Sequence, residues 1–184
     1  MSTARDGLLD QIDGGTSRLL QTAGLLTDEA VRQPSLLPGW TRGHVLNHLV
    51  HSAGAMVNLL NSARTGVNIP AYASQQARDA EIAAGAGRSA AQLLSDLTQS
   101  AAAFWSAVAA MPQDAWQVWV QVLDYPSFPA AQLLTRRLVE VELHHTDLAA
   151  GYTPADWPAP FARMDLPEPM RTQRASRRQP GPRP

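Results

Sequence analysis

Prolines and glycines divide the sequence into four long segments whose apolar residues recur at the three- and four-residue spacing of an amphipathic helix. These segments cover residues 4–26, 41–65, 89–111 and 129–150. In a chain of 184 residues, four such helices can bury one continuous core. We therefore predict an all-α protein with a four-helix bundle over residues 1–165.

Capping residues mark the ends of these segments. Thr41 and Ser89 are typical N-caps, and Gly66 and Gly151 are typical of the position just beyond a helix C-terminus. Pro112 cannot continue the third helix and stops it. The predicted helices therefore have defined ends as well as apolar faces.

The remaining stretches are less regular. Residues 27–34 and 74–84 are predicted to form short helices, and the β-prone residues 117–123 form either a short strand or an extended connector. Residues 166–184 are rich in Pro, Arg and Gln and have almost no apolar residues. We predict that this basic tail is disordered, because it cannot bury enough apolar surface to fold.

The composition excludes several kinds of site. The chain has no Cys, so disulfides, thiolate nucleophiles and Cys-ligated zinc are excluded, and any metal must be held by His, Asp or Glu. The net charge of −1 indicates neither a nucleic-acid nor a membrane-surface partner. No apolar run is long enough to span a membrane and no signal-peptide pattern begins the chain, so we expect a cytoplasmic protein.

The last long segment carries an unusual number of polar residues. On a helix, Glu140 and His144 lie one turn apart and converge at the edge of the core, whereas His145 falls on the apolar arc. Glu142 points to roughly the opposite side, where we expect solvent. Asp147 either orients a neighbouring imidazole or is simply exposed.

All the histidines of the chain fall on two predicted helices. His44, His48 and His51 form a stripe on the second long helix, and His144 and His145 lie on the last. If the two faces meet, a His/Glu/His metal site forms with one position open for water or a thiolate. The alternative is that the Glu140–His144 pair is a solvated polar contact.

The other polar and aromatic residues allow simpler interpretations. Arg136 and Arg137 are interpreted as surface charges, since two neighbouring arginines on a helix more often face solvent than substrate. The five Trp residues are interpreted as core or bundle-end packing.

Two motifs carry a resemblance to a known family. The stretch LLPGWTRGHVLNHLVHSAGAMVNLL and the later RRLVEVELHHTDLAAGYTPADWP resemble the metal-binding domain of mycothiol-dependent maleylpyruvate isomerases, part of the DinB/YfiT-like superfamily of four-helix proteins. The resemblance covers roughly residues 5–163. It implies one zinc ion held by His48, Glu140 and His144, with His44 not a ligand but lining the site or contacting substrate.

The resemblance also implies the chemistry. The cofactor would be mycothiol, a small thiol of actinobacteria, and the Arg-only, Ala-rich composition fits such a source. Zinc would hold the thiol as a thiolate, which adds to the double bond of maleylpyruvate, allows rotation and then leaves. The partners would be a small-molecule thiol and an electrophilic substrate, and related thiol S-transfer is an alternative reaction.

Full-length members of the family carry a second, C-terminal α/β domain that contributes an Arg to the substrate site. Residues 166–184 have neither the apolar content nor the periodicity of such a domain, so we expect it to be absent. This expectation leaves a second hypothesis open, a non-catalytic remnant that binds metal or thiol. A third hypothesis is that the Arg-rich tail binds an acidic partner.

Overall fold

A computed structural model describes residues 2–178, with side chains from residue 5 onward. This part of the chain forms eight α-helices, one 3₁₀ turn at Ala115–Gln117 and one two-stranded sheet. None of these helices is long and apolar enough to cross a membrane. The helices are α1 (Ser2–Gly24), α2 (Asp28–Val31), α3 (Arg42–Thr65), α4 (Gln75–Gly85), α5 (Ala90–Ala109), α6 (Gln132–Asp147), α7 (Ala159–Arg163) and α8 (Met170–Arg178).

The four long helices α1, α3, α5 and α6 form the bundle that the sequence predicts. Helices α1 and α3 each pack against both α5 and α6, which closes the arrangement into a ring. The buried apolar side chains form two clusters along its length. One is built around Ile12, Leu60, Phe104 and Leu138, and the other around Leu19, Val45, Leu49, Leu97 and Val141.

The predicted caps are confirmed at both ends of α3 and at the start of α5. The Thr41 hydroxyl accepts a hydrogen bond from the backbone N–H of His44. Ser89 forms the equivalent capping box with Gln92. Gly66 ends α3 with φ of 72°, a left-handed conformation that glycine adopts without strain.

Helix α1 continues through Gly14 and Gly15, although two glycines weaken the helix propensity there. A Cβ atom on Gly15 would lie 2.9 Å from Oε1 of Glu142 on α6. The missing side chain therefore lets α1 approach α6 closely.

The β-prone stretch contains a short strand, which is one of the two predicted alternatives, and this strand is part of a hairpin. Strand β1 (Trp119–Val120) pairs antiparallel with β2 (Phe128–Pro129), and Val120 lies opposite Phe128. Both of these side chains are buried in the first core cluster. The hairpin thereby packs against α3 and α6 of the bundle.

The tail differs from the sequence-based expectation at residues 170–178, which form helix α8 rather than disordered chain. Met170 is buried in the first core cluster, and Arg174 donates hydrogen bonds to the carbonyl oxygens of Phe161 and Met164. Arginine side chains thus supply contacts that apolar content alone does not reveal. Residues 179–184 of the predicted tail lie outside the described part of the chain.

Helix α3 lies very close to the end of α4 and the turn that follows it. The buried Asn47 amide donates to the carbonyl oxygens of Glu81 and Ile82 at 3.0 and 2.9 Å. A Cβ atom on Gly43 would collide with the carbonyl oxygen of Ala86. This close contact fixes α4, and with it the wall of the cavity described below.

We expect Gly43→Ala to lower the free energy of unfolding by about 2 kcal/mol, because two backbone segments must separate. Gly54→Ala, also within α3 but with open space around its Cβ position, is the matched control. It should raise the stability by about 0.5 kcal/mol through helix propensity. Urea denaturation of both variants measures the difference, and equal effects would contradict this account of the α3–α4 contact.

Candidate metal centre

The structure brings His48, Glu140 and His144 together across the contact between α3 and α6. Nε2 of His48 lies 3.0 Å from Oε2 of Glu140 and 3.1 Å from Nε2 of His144, and the third separation, between His144 Nε2 and Glu140 Oε2, is 3.6 Å. The two helix faces on which the predicted metal site depends, one on α3 and one on α6, are therefore in contact. Among the described residues, this is the group of His, Asp and Glu side chains with the geometry to hold a metal ion.

The three donor atoms fit a small divalent cation. In a tetrahedral zinc site with bonds of about 2.0–2.1 Å, neighbouring ligand atoms lie about 3.3 Å apart. The observed separations of 3.0, 3.1 and 3.6 Å bracket this value. Two imidazoles and one carboxylate are also a donor set that zinc favours, and three protein ligands leave one position open.

Neighbouring polar groups hold two of the three donors in place. The Ser52 hydroxyl, one helical turn beyond His48, donates to Oε2 of Glu140 at 3.0 Å. Asp147 Oδ2 lies 2.9 Å from Nδ1 of His144. Because an ionised carboxylate can only accept, Nδ1 of His144 carries the proton, and its Nε2 presents a lone pair to the site. Of the two roles predicted for Asp147, orientation of a neighbouring imidazole agrees with this contact, whereas solvent exposure does not.

The charge states suit metal binding. Burial alone would raise the pKa of Glu140, but the hydrogen bond from His48, the adjacent imidazoles and Ser52 outweigh it and hold the pKa below its ordinary value. Burial, together with the neighbouring His144, lowers the pKa of His48. An ionised carboxylate beside a neutral imidazole is the form in which both side chains can coordinate a cation.

The three side chains open into a cavity of about 360 Å³. Its lining includes Trp40, Tyr72, Arg78 and Arg136. The Tyr72 hydroxyl stays protonated, because burial and the nearby Glu140 raise its pKa to about 12. Tyr72 and Arg78 were not predicted from the sequence, because they come from the loop before α4 and from α4 itself, and no spacing rule relates them to the histidines.

The other two histidines of α3 lie outside this group. His44 takes part in the cap of α3, with Nδ1 lying 3.2 Å from the Thr41 backbone nitrogen, and it does not line the cavity. His51 pairs with Glu81, with 3.3 Å between Nδ1 and the carboxylate. Of the histidine stripe on α3, only His48 therefore reaches the donors of α6.

The expectation that Glu142 faces solvent is wrong. Its side chain is 1% exposed, accepts a hydrogen bond from Arg18 at 2.7 Å and a second, very short one from the Tyr152 hydroxyl. His145, buried as predicted, stacks on Tyr152 and lies 2.7 Å from the Thr22 hydroxyl. The helical wheel gave the direction of Glu142 correctly, but α1 rather than water occupies that side of α6.

Arg137 is also not a surface residue. Its side chain is 1% exposed, lies 5.6 Å from the Phe104 ring and donates through Nη1 to the Leu49 carbonyl at 3.5 Å. Burial lowers its pKa to about 10. Arg136, by contrast, is half-buried and stacks on Phe128 at 3.9 Å while lining the cavity.

Residues 12–149, three quarters of the chain, match the model of the mycothiol maleylpyruvate isomerase N-terminal domain. The chain belongs to this family. No curated protein sequence matches it significantly. The match to the family model supports the DinB-like bundle that is expected from the two sequence motifs.

Two solved structures show the same fold in this family. The crystal structure of the mycothiol-dependent maleylpyruvate isomerase is 32% identical and superposes with a TM-score of 0.82. A histidine-to-alanine variant of that enzyme gives 0.81 at the same identity. In both comparisons 85% of this chain aligns, whereas only 65% of the other chain is covered.

The buried His145 predicts a specific pH dependence of stability. Burial and the nearby Arg18 lower its pKa to about 4, whereas an unfolded histidine has a pKa of about 6.5. Between these values the unfolded chain binds a proton that the folded chain does not, so the free energy of unfolding falls as the pH falls. Between about pH 7 and about pH 5, His145 should account for about 2 kcal/mol of that loss.

Urea denaturation of wild type and His145→Gln in the presence of a chelator measures this contribution. The variant should lose less stability than wild type over the same pH interval. Identical pH profiles would mean that His145 is not the proton-linked group.

Proposed function

We propose that this protein is a zinc-dependent enzyme that uses mycothiol to isomerise maleylpyruvate or a closely related electrophile, with thiol S-transfer as the related reaction. The observation that carries the proposal is the convergence of His48, Glu140 and His144 on one point, at separations that suit a tetrahedral cation. Membership of the family supports mycothiol as the thiol. A small thiol that must stay reduced supports the cytoplasm as the compartment of this reaction.

In this proposal His48, Glu140 and His144 hold the zinc ion. Zinc, when bound, supplies a positive charge that keeps a thiol deprotonated at neutral pH and so makes it a nucleophile. Asp147 keeps the His144 imidazole in the tautomer that offers Nε2 to the metal, and Ser52 holds the Glu140 carboxylate.

The chain's other cavity residues suit a substrate with a carboxylate. Arg136 and Arg78 both line the cavity that contains the three donors. Among the described residues, the buried Nε of Arg136 has no hydrogen-bond partner. A guanidinium with an unused donor binds carboxylates strongly, so Arg136 would hold a carboxylate of the substrate in the cavity that contains the three donors. Buried walls such as Met56 and Leu133 limit water in the cavity.

Elemental analysis of the purified protein tests the metal site. We expect about one zinc per chain in wild type and loss of zinc in His48→Ala, because two donors without the third bind weakly. His51→Ala is the matched control, a histidine of the same helix that faces Glu81 instead of the site, and it should retain zinc. Wild-type protein without metal after zinc has been supplied would contradict the proposal. Zinc binding without turnover of maleylpyruvate in the presence of mycothiol would favour the non-catalytic hypothesis.

Steady-state kinetics test the role of Arg136. Arg136→Ala should raise KM for the anionic substrate at least about tenfold, the cost of about one charge-assisted hydrogen bond. Arg64→Ala, on the exposed end of α3, is the control and should leave KM unchanged. A neutral electrophile should show no such rise in Arg136→Ala, and an equal rise for both substrates would contradict carboxylate binding.

A further inference from the structure

Helix α8 forms part of the wall of the metal cavity. Pro169 and Met170 at its start, and Gln173 one turn later, line the same cavity as the three donor atoms. Met170 is 3% exposed, so this end of the helix is packed into the fold. A segment that composition alone assigns to a disordered tail therefore borders the candidate site.

The next turn of α8 makes a two-point contact with Asp147. Arg177 Nε donates to Oδ1 at 3.1 Å, and its Nη2 donates to Oδ2 at 3.0 Å. The same Oδ2 accepts the Nδ1–H of His144 at 2.9 Å. Arg177, Asp147 and His144 thus form a continuous chain of charge-assisted hydrogen bonds that ends at Nδ1 of His144, the imidazole whose Nε2 is a candidate metal ligand.

This contact has a physical consequence for His144. Asp147 is 1% exposed, so its charge has little help from water and depends on its partners. Two parallel hydrogen bonds from a planar guanidinium fix the plane of a carboxylate, whereas a single bond lets it rotate. Fixing that plane keeps Oδ2 on Nδ1 of His144 and keeps Nε2 directed at His48 and Glu140.

We propose that Arg177 is a positioning residue of the metal centre, which orients His144 for metal binding through Asp147. The inference rests on the proposed function, because it concerns the same three ligands. It adds that α8, a segment beyond residues 12–149 that match the family model, belongs to the site.

A purely structural role for Arg177 is the competing explanation, and the structure separates the two. Arg174 and Arg178 bind α8 to α7 through the carbonyl oxygens of Phe161, Met164 and Ala162, with no contact to Asp147. Helix α8 therefore keeps its anchors when Arg177 is replaced. A change at the metal centre in such a variant reports on the Asp147 contact.

The test compares Arg177→Ala with Arg171→Ala in the full chain. Arg171 lies on the same helix, and within residues 5–178 its guanidinium pairs with the exposed Glu168, so its replacement removes the same charge without touching Asp147. Zinc affinity is measured by competition with a chelator, and the ligand field by the visible spectrum of the cobalt(II)-substituted protein. We expect about tenfold weaker zinc binding and an altered cobalt spectrum in Arg177→Ala, and wild-type behaviour in Arg171→Ala.

A double-mutant cycle shows whether Arg177 acts through Asp147. Asp147→Asn alone should weaken zinc binding about 10- to 100-fold. Adding Arg177→Ala to it should then change the affinity by less than about twofold, since the path is already broken. Arg177→Lys, which keeps the charge but not the planar fork, should fall between wild type and Arg177→Ala.

The outcomes separate this inference from the proposed function. Zinc binding by wild type, with Arg177→Ala matching Arg171→Ala in affinity and spectrum, would overturn the positioning role and leave the metal site intact. Additive effects in the double-mutant cycle would also overturn it. Absence of zinc binding by wild type would overturn both proposals at once.

Discussion

Helix α6 is packed on three sides, and its three carboxylates pair with side chains of the helices around it. Helix α1 covers one side, α3 another and α8 part of the third. Unpaired charges are costly to bury, and each carboxylate of α6 therefore lies beside a basic side chain of a neighbouring helix. Arg18 of α1 pairs with Glu142, His48 of α3 pairs with Glu140, and Arg177 of α8 pairs with Asp147. The candidate metal centre is one of several polar contacts that hold this helix.

Much of the fold followed from local signals in the sequence. The caps of α3 and α5 depend on residues three positions apart, so the sequence alone defines them. The convergence of Glu140 with His144 likewise depends only on helical spacing. Their meeting with His48 depends on which helix faces touch. The concentration of histidines on two helices indicated that contact without deciding it, and the choice of His48 came from the resemblance to the family.

The surroundings of α6 were not predictable in the same way. Glu142 and Arg137 occupy positions that a helical wheel describes correctly, but whether water or protein lies there depends on contacts between distant segments. Helix α8 was missed because its packing uses arginine hydrogen bonds to backbone carbonyls and only one buried apolar side chain, Met170. Composition measures apolar content and does not detect such contacts.

The origin of the three candidate ligands has a consequence for folding. His48 and Glu140 are 92 positions apart in the chain and come from different helices. An ion held by both closes a long loop in the same way as a covalent cross-link, and it binds the folded chain far better than the unfolded one. The binding free energy of such an ion would therefore add to the stability of the bundle and hold α3 against α6.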